Sequence, residues 1–155
     1  MNVEQEIAPL VKQVVVPVGV ERAFEAFTAE TSAWWPLFGH SVGEDAAREV
    51  RLEGAVGGRI VEYGAAGELA TWGTLSAWNP PRSLSFSWHP GSEPSEAGRV
   101  TVTFTPTAAG TEVRLVHSGW EHRGDGARAR LSYDTGWDYV LGKYVEHLPE
   151  QPNTQ

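Results

Sequence analysis

Two periodicities divide the chain. From Arg48 to His117 apolar and polar residues alternate in short runs, whereas from Gly126 to Leu148 they recur every three or four positions. Counting from Tyr133, apolar side chains fall at Trp137, Val140, Leu141, Tyr144 and Leu148, the spacing of a helix with one buried stripe. Asp134, Asp138, Lys143 and Glu146 mark its wet side, where Asp134 and Asp138 are expected only to solvate the helix. Gly136 and Gly142 each disfavour that helix by about 1 kcal/mol relative to alanine, which a close backbone approach or a widened site would explain.

The alternating part predicts strands joined by glycine and proline turns. Glu49 to Glu53 and Arg59 to Tyr63 form one hairpin, and Glu68 to Trp78 is a longer strand whose Gly73 suggests a bulge. Arg82 to Trp88, Arg99 to Thr105 and Thr111 to His117 follow, with serines and threonines expected on the solvent side. His89 to Gly98 reads as a polar, flexible connection. Ahead of these, Leu10 to Val16 is β-branched and stops at Pro17, where a backbone donor is lost. Val20 to Ala29 is a short amphipathic helix; Thr31 or Ser32 can cap a further turn carrying Trp34 and Trp35, ended by Pro36. The predicted order is a strand, two short helices, six strands in hairpin succession and one long helix. That is an α+β architecture: an antiparallel sheet of about seven strands curled around the C-terminal helix. A cavity between helix and sheet follows wherever the two do not meet.

At 155 residues the chain suits a single domain, with an ordered core expected over about 10–148 and short flexible tails. The opening MNVEQEIAPL lacks a basic region followed by an apolar one, and no apolar run would span a bilayer, which predicts a cytoplasmic location. The absence of cysteine excludes disulfides, thiolate metal sites and a cysteine nucleophile. A net charge of -8 argues against nucleic acid as a partner. No helical histidine pair, nucleophile elbow or phosphate-binding glycine loop is present, so neither a metal nor a cofactor is expected.

Several stretches in combination resemble the activator of heat-shock-protein-90 ATPase homologue-like, bacterial branch of the SRPBCC, or START/Bet v-like, helix-grip superfamily. They are ETSAWWPLFGHSV at 30–42, VGGRIVEY at 56–63, WGTLSAWNPPRSLSFSW at 72–88, VTVTFTP at 100–106, GTEVRLVHSGWE at 110–121 and GWDYVLGKYVEHL at 136–148. The resemblance implies the helix-grip fold. It leaves function open among small-molecule binders, chaperone cofactors and polyketide cyclases, since one scaffold hosts all three. The expected partners are therefore a small hydrophobic molecule, or a chaperone or other protein, with a homodimer allowed.

Chemistry is concentrated in aromatic residues. Seven tryptophans are present; Trp34, Trp35, Trp72, Trp88, Trp120 and Trp137, together with Tyr133, are candidates for the walls of a ligand pocket, or else for a plug that fills it. His117 ends the last strand and is either a core histidine with one hydrogen bond or a polar group at the cavity mouth; His40 could face it across the opening. Glu62 shares a strand face with Ile60. It is either a carboxylate among tryptophans with a raised pKa or the partner of Arg51 or Arg59. The leading expectation is a non-enzymatic or weakly catalytic binder of a hydrophobic, aromatic molecule. A protein-docking domain and a cyclase or hydrolase using His117, His40 or Glu62 are the alternatives.

Overall fold

The computed structural model describes residues 7–37 and 40–148. Its elements are β1 (Leu10–Val16), α1 (Val20–Thr28), α2 (Thr31–Trp34), β2 (Ala47–Leu52), β3 (Arg59–Gly64), β4 (Gly67–Asn79), β5 (Ser83–Trp88), β6 (Gly98–Thr107), β7 (Gly110–Ser118) and α3 (Gly126–His147). They match the predicted order, with ends displaced by one or two residues. The seven strands form one antiparallel sheet in the order β1-β7-β6-β5-β4-β3-β2. Every neighbour is a hairpin partner except β1, which crosses over to pair Leu10 with His117 and Val16 with Thr111.

The alternation decides which face is buried. Leu84, Phe86 and Trp88 of β5, Val100, Val102 and Phe104 of β6, and Val113, Leu115 and His117 of β7 are all buried. Against them lie Trp137, Val140, Leu141, Tyr144 and Leu148, the stripe read from the helical period. Each such aliphatic or phenyl side chain contributes about 1.5–3 kcal/mol on burial. The curled sheet gripping the long helix is the helix-grip fold.

At one end α1 and α2 seal the interior. Phe24 meets Phe104 with ring centroids 5.2 Å apart, and Phe27 meets Tyr144 at 5.3 Å. Tyr144 donates to the Ala23 carbonyl at 2.7 Å, tying α3 to α1. Neither hydroxyl expected to cap α2 does so. Thr31 donates back to the Phe27 carbonyl, while Ser32 exchanges hydrogen bonds with the backbone of Val50 on β2, because closing α2 onto the sheet edge satisfies more groups than a local cap. Trp35 lies just beyond the helical turn.

Two further expectations are corrected. Asp134 and Asp138 do more than solvate α3: both bind Lys12, which points inward from β1, Asp138 at 3.0 Å. Burial opposes the Lys12 charge, but the two carboxylates outweigh it and raise its pKa above the ordinary value. Nor is the serine face uniformly wet, since Ser85 is buried and shares a hydrogen bond with Thr101 on β6. The bulge falls where it was expected. Opposite β3 the register shifts between Gly73 and Thr71, and a Cβ on Gly73 would lie 1.7 Å from the Ser87 carbonyl oxygen, so only glycine fits.

Candidate ligand site: an indole-walled cavity

A cavity of about 470 Å³ opens between α3, the crossing from α2 to β2, and the end of β5. The helix contributes Ser132, Tyr133, Gly136, Trp137 and Val140. Trp35, His40, Ser41 and Val42 form the second wall, and Trp88, Pro90 and Gly91 the third. None of these side chains carries a carboxylate, ammonium or guanidinium. The volume falls within the range of about 300–1,000 Å³ usual for small-molecule pockets.

The walls are stiff because their indoles pack on one another. Trp35 lies 5.0 Å from Trp72, 5.9 Å from Trp88 and 6.0 Å from Trp137, and Trp88 lies 5.5 Å from Trp137. Each indole N–H is also spent inside the protein. Trp35 donates to the His40 carbonyl at 2.8 Å, Trp88 to the Tyr133 hydroxyl oxygen at 3.2 Å, and Trp137 to His117 Nδ1 at 3.0 Å. A buried indole donor needs a partner, and meeting that need fixes the ring's rotation.

Of the sequence-predicted residues, Trp35, His40, Trp88, Tyr133 and Trp137 converge on this cavity, while Trp34, Glu62, Trp72, His117 and Trp120 do not line it. Trp72 is buried behind Trp35, and Trp120 packs on His117 and Tyr133. Trp34 belongs to the sealed end, donating to the Ala26 carbonyl and packing on Tyr144.

His117 is the core histidine of the two readings. It is buried, accepts from Trp137 at Nδ1 and so carries its proton on Nε2. Desolvation, then the nearby Arg123 charge, lowers its pKa to about 3. It does not face His40, which instead stacks on Tyr139 with centroids 5.0 Å apart. His40 Nδ1 is buried at the cavity wall without a hydrogen-bond partner among the described residues.

Glu62 departs from the expected arginine pairing. Arg59 binds Glu68 and Arg51 binds Glu49, on the exposed side of the sheet. The Glu62 carboxylate is fully buried and accepts from the Val42 amide at 2.8 Å, the Gly43 amide at 2.7 Å and Trp72 Nε1 at 2.8 Å. It thus ties one cavity wall, the 40–43 segment, to β3 and β4. Two of the three donors are backbone amides of one loop, which no side-chain pattern in the sequence marks, and that is why an arginine partner was expected instead.

Sequence reasoning missed Ser41, Val42, Pro90, Gly91 and Ser132, and placed Val140 only in the buried stripe. A usable sign was present for some of them. Ser132, Gly136 and Val140 repeat every four residues beside the Tyr133–Trp137 pair, and Pro90-Gly91 follows directly on Trp88. Gly136 answers the question its helix position raised: a Cβ there would meet nothing within 4 Å, because the cavity lies before it. Gly142 also faces open space but away from the cavity, and nothing in the structure explains it. Among the described residues no three potential metal ligands cluster, and no helix is long and apolar enough to cross a membrane.

Residues 17–148 match the family described as Activator of Hsp90 ATPase homolog 1-like protein. The chain belongs to that family. Among solved structures it is similar to an anthrahydroquino-γ-pyrone synthase, Txn09, at 30% identity over 91% of this chain and 97% of that one, with a TM-score of 0.61. It is also similar to the protein MLL2253 of Mesorhizobium loti, at 23% identity over 89% and 94% of the two chains and a TM-score of 0.64. The Aha1 dimer of Colwellia psychrerythraea aligns over 94% of this chain and all (100%) of that one at 16% identity and a TM-score of 0.68. The last two likenesses, each under 25% identical, speak for the fold alone. No protein of curated function matches the chain.

Proposed function

We propose that this family member binds a flat, uncharged, polycyclic aromatic molecule in the cavity between α3 and the sheet. The observation that carries the reading is a 470 Å³ space bounded by Trp35, Trp88, Tyr133 and Trp137 and, among the described residues, by no carboxylate, ammonium or guanidinium. Rigid indole faces favour stacking with a planar ligand, and a charged one would lose its hydration with nothing to replace it. Equilibrium dialysis against a panel of neutral tricyclic and tetracyclic aromatics tests this. Saturable one-to-one binding is expected, and no binding across the panel would sink it.

A second reading, that the bound molecule is also transformed, is favoured by the likeness to the pyrone synthase Txn09. On that reading the polar groups available to the reaction are the Tyr133 hydroxyl and His40, which line the cavity, rather than His117 or Glu62, which do not. Turnover of an aromatic polyketide by the wild-type protein, abolished in His40→Ala and Tyr133→Phe, is the outcome that would establish it. Unchanged rates in both variants would remove those roles.

A further inference from the structure

Few polar side-chain atoms of the cavity are free to meet a ligand. The indole donors are committed: Trp35 to the His40 carbonyl, Trp88 to Tyr133 and Trp137 to His117. The Ser41 hydroxyl is committed too, to the Leu37 carbonyl. Ser132 is exposed to solvent. Two side-chain groups remain. One is His40 Nδ1, which has no partner among the described residues and whose ring lies against Tyr139. The other is the proton of the Tyr133 hydroxyl, whose oxygen accepts from Trp88 Nε1 at 3.2 Å but which donates to no acceptor among the described residues.

These two differ in how well they are aimed. The Tyr133 oxygen is held by Trp88, and its ring packs edge-on to His117 at 5.0 Å and beside Trp120 at 5.5 Å. An O–H whose oxygen already accepts a hydrogen bond is the stronger donor for it. Burial also pushes the Tyr133 phenol above its ordinary range, so the proton stays in place at neutral pH.

We infer that the ligand is a neutral polycyclic aromatic bearing a ring carbonyl, and that the Tyr133 hydroxyl donates to that carbonyl oxygen while the indoles hold the rings. This rests on the aromatic-ligand reading and narrows it from any flat aromatic to an aryl ketone, quinone or pyrone type. A hydrocarbon of the same shape would fill the slot but leave the phenol proton unpaired.

A matched pair separates the two claims. 9-Fluorenone and fluorene share a flat tricyclic frame and differ in the ring carbonyl, and each is to be measured by equilibrium dialysis against the wild-type protein and Tyr133→Phe. The wild type is expected to bind fluorenone about 3- to 10-fold more tightly than fluorene, the effect of one neutral hydrogen bond. Because Tyr133→Phe also leaves the Trp88 N–H without its acceptor, both compounds should bind more weakly, but the preference for fluorenone should vanish, and a circular-dichroism melt reports that the variant is folded. A preference that survives in Tyr133→Phe, or is absent in the wild type, overturns the carbonyl assignment while leaving the aromatic site standing. Weakening of both compounds by one common factor in the variant also overturns it, since the hydroxyl would then serve the wall and not the ligand. If the wild type binds neither compound, the aromatic-ligand reading itself fails.

Discussion

Trp34 and Trp35 are adjacent in the chain and serve different ends of the interior. Trp34 is buried against Phe27 and Tyr144, with its N–H on the Ala26 carbonyl, in the end that α1 and α2 close. Trp35 has left the helical turn, is half-buried, and faces a space large enough for a ligand. The difference lies in what stands opposite. At the closed end phenyl and phenol rings from α1, β6 and α3 interdigitate as a core does. At the open end the helix presents Gly136 where a side chain would have filled the gap. One run of sequence therefore builds both a plug and a wall.

The sharpest way to break this contrast is to truncate each indole. Trp34→Ala should cost about 3–5 kcal/mol of stability, the usual loss for removing a buried indole, read as a lower urea midpoint. Trp35→Ala removes a ring that already borders empty space. It should cost markedly less stability and lose most affinity for an aromatic ligand. Equal destabilisation by the two variants would erase the distinction between plug and wall.

Acid probes a residue lying behind the wall. His117 has a pKa of about 3 in the folded protein against 6.5 when exposed, so the unfolded chain binds more protons between those values. Its contribution is fully present above pH 6.5 and is lost as pH falls toward 3, with a total on the order of 5 kcal/mol. Glu30 acts in a lower window. Held first by Arg22 and then by His147, its carboxyl titrates near 2 instead of 4.5, so its share disappears only below pH 4.5. Between pH 6.5 and 4.5 the fall in stability should therefore flatten in His117→Gln, and an unchanged slope there would show that the histidine is not the cause.

Glu62→Gln tests whether the second wall is tethered rather than merely adjacent. The amide would turn an NH2 toward donors that now meet a carboxylate, costing about 1–3 kcal/mol. Hydrogen exchange at the Val42 and Gly43 amides should quicken while amides of the closed end, such as Phe27, keep their protection. Uniform acceleration across both ends would point to global destabilisation instead.

The smallest expected effects come from the two helix glycines. Gly142→Ala should stabilise α3 by up to about 1 kcal/mol and leave ligand affinity alone. Gly136→Ala should stabilise equally, since its Cβ also meets no atom, but weaken binding by narrowing the cavity. Melting curves with and without a bound aromatic would separate the pair, and identical ligand responses would count against the cavity as the binding site.

What the linear sequence determined was everything carried by local period and turn chemistry. The strands, the short helices, the buried stripe of α3 and the bulge at Gly73 all follow from side chains within a few residues of one another. Five of the cavity's residues, Trp35, His40, Trp88, Tyr133 and Trp137, were also legible, because large aromatic and imidazole side chains in an otherwise ordinary sequence mark themselves by type. Tertiary structure alone decided the rest. Whether an indole fills space or bounds it depends on rings contributed from more than a hundred residues away, as Tyr144 is from Trp34 and Trp137 from Trp35. The partners of Glu62 and Lys12, the crossover of β1 onto β7, and the silence of His117 at the cavity wall are likewise set by groups brought together only on folding. A hydrogen bond or a void has no periodicity along the chain; it exists only where the packed surfaces meet, or fail to.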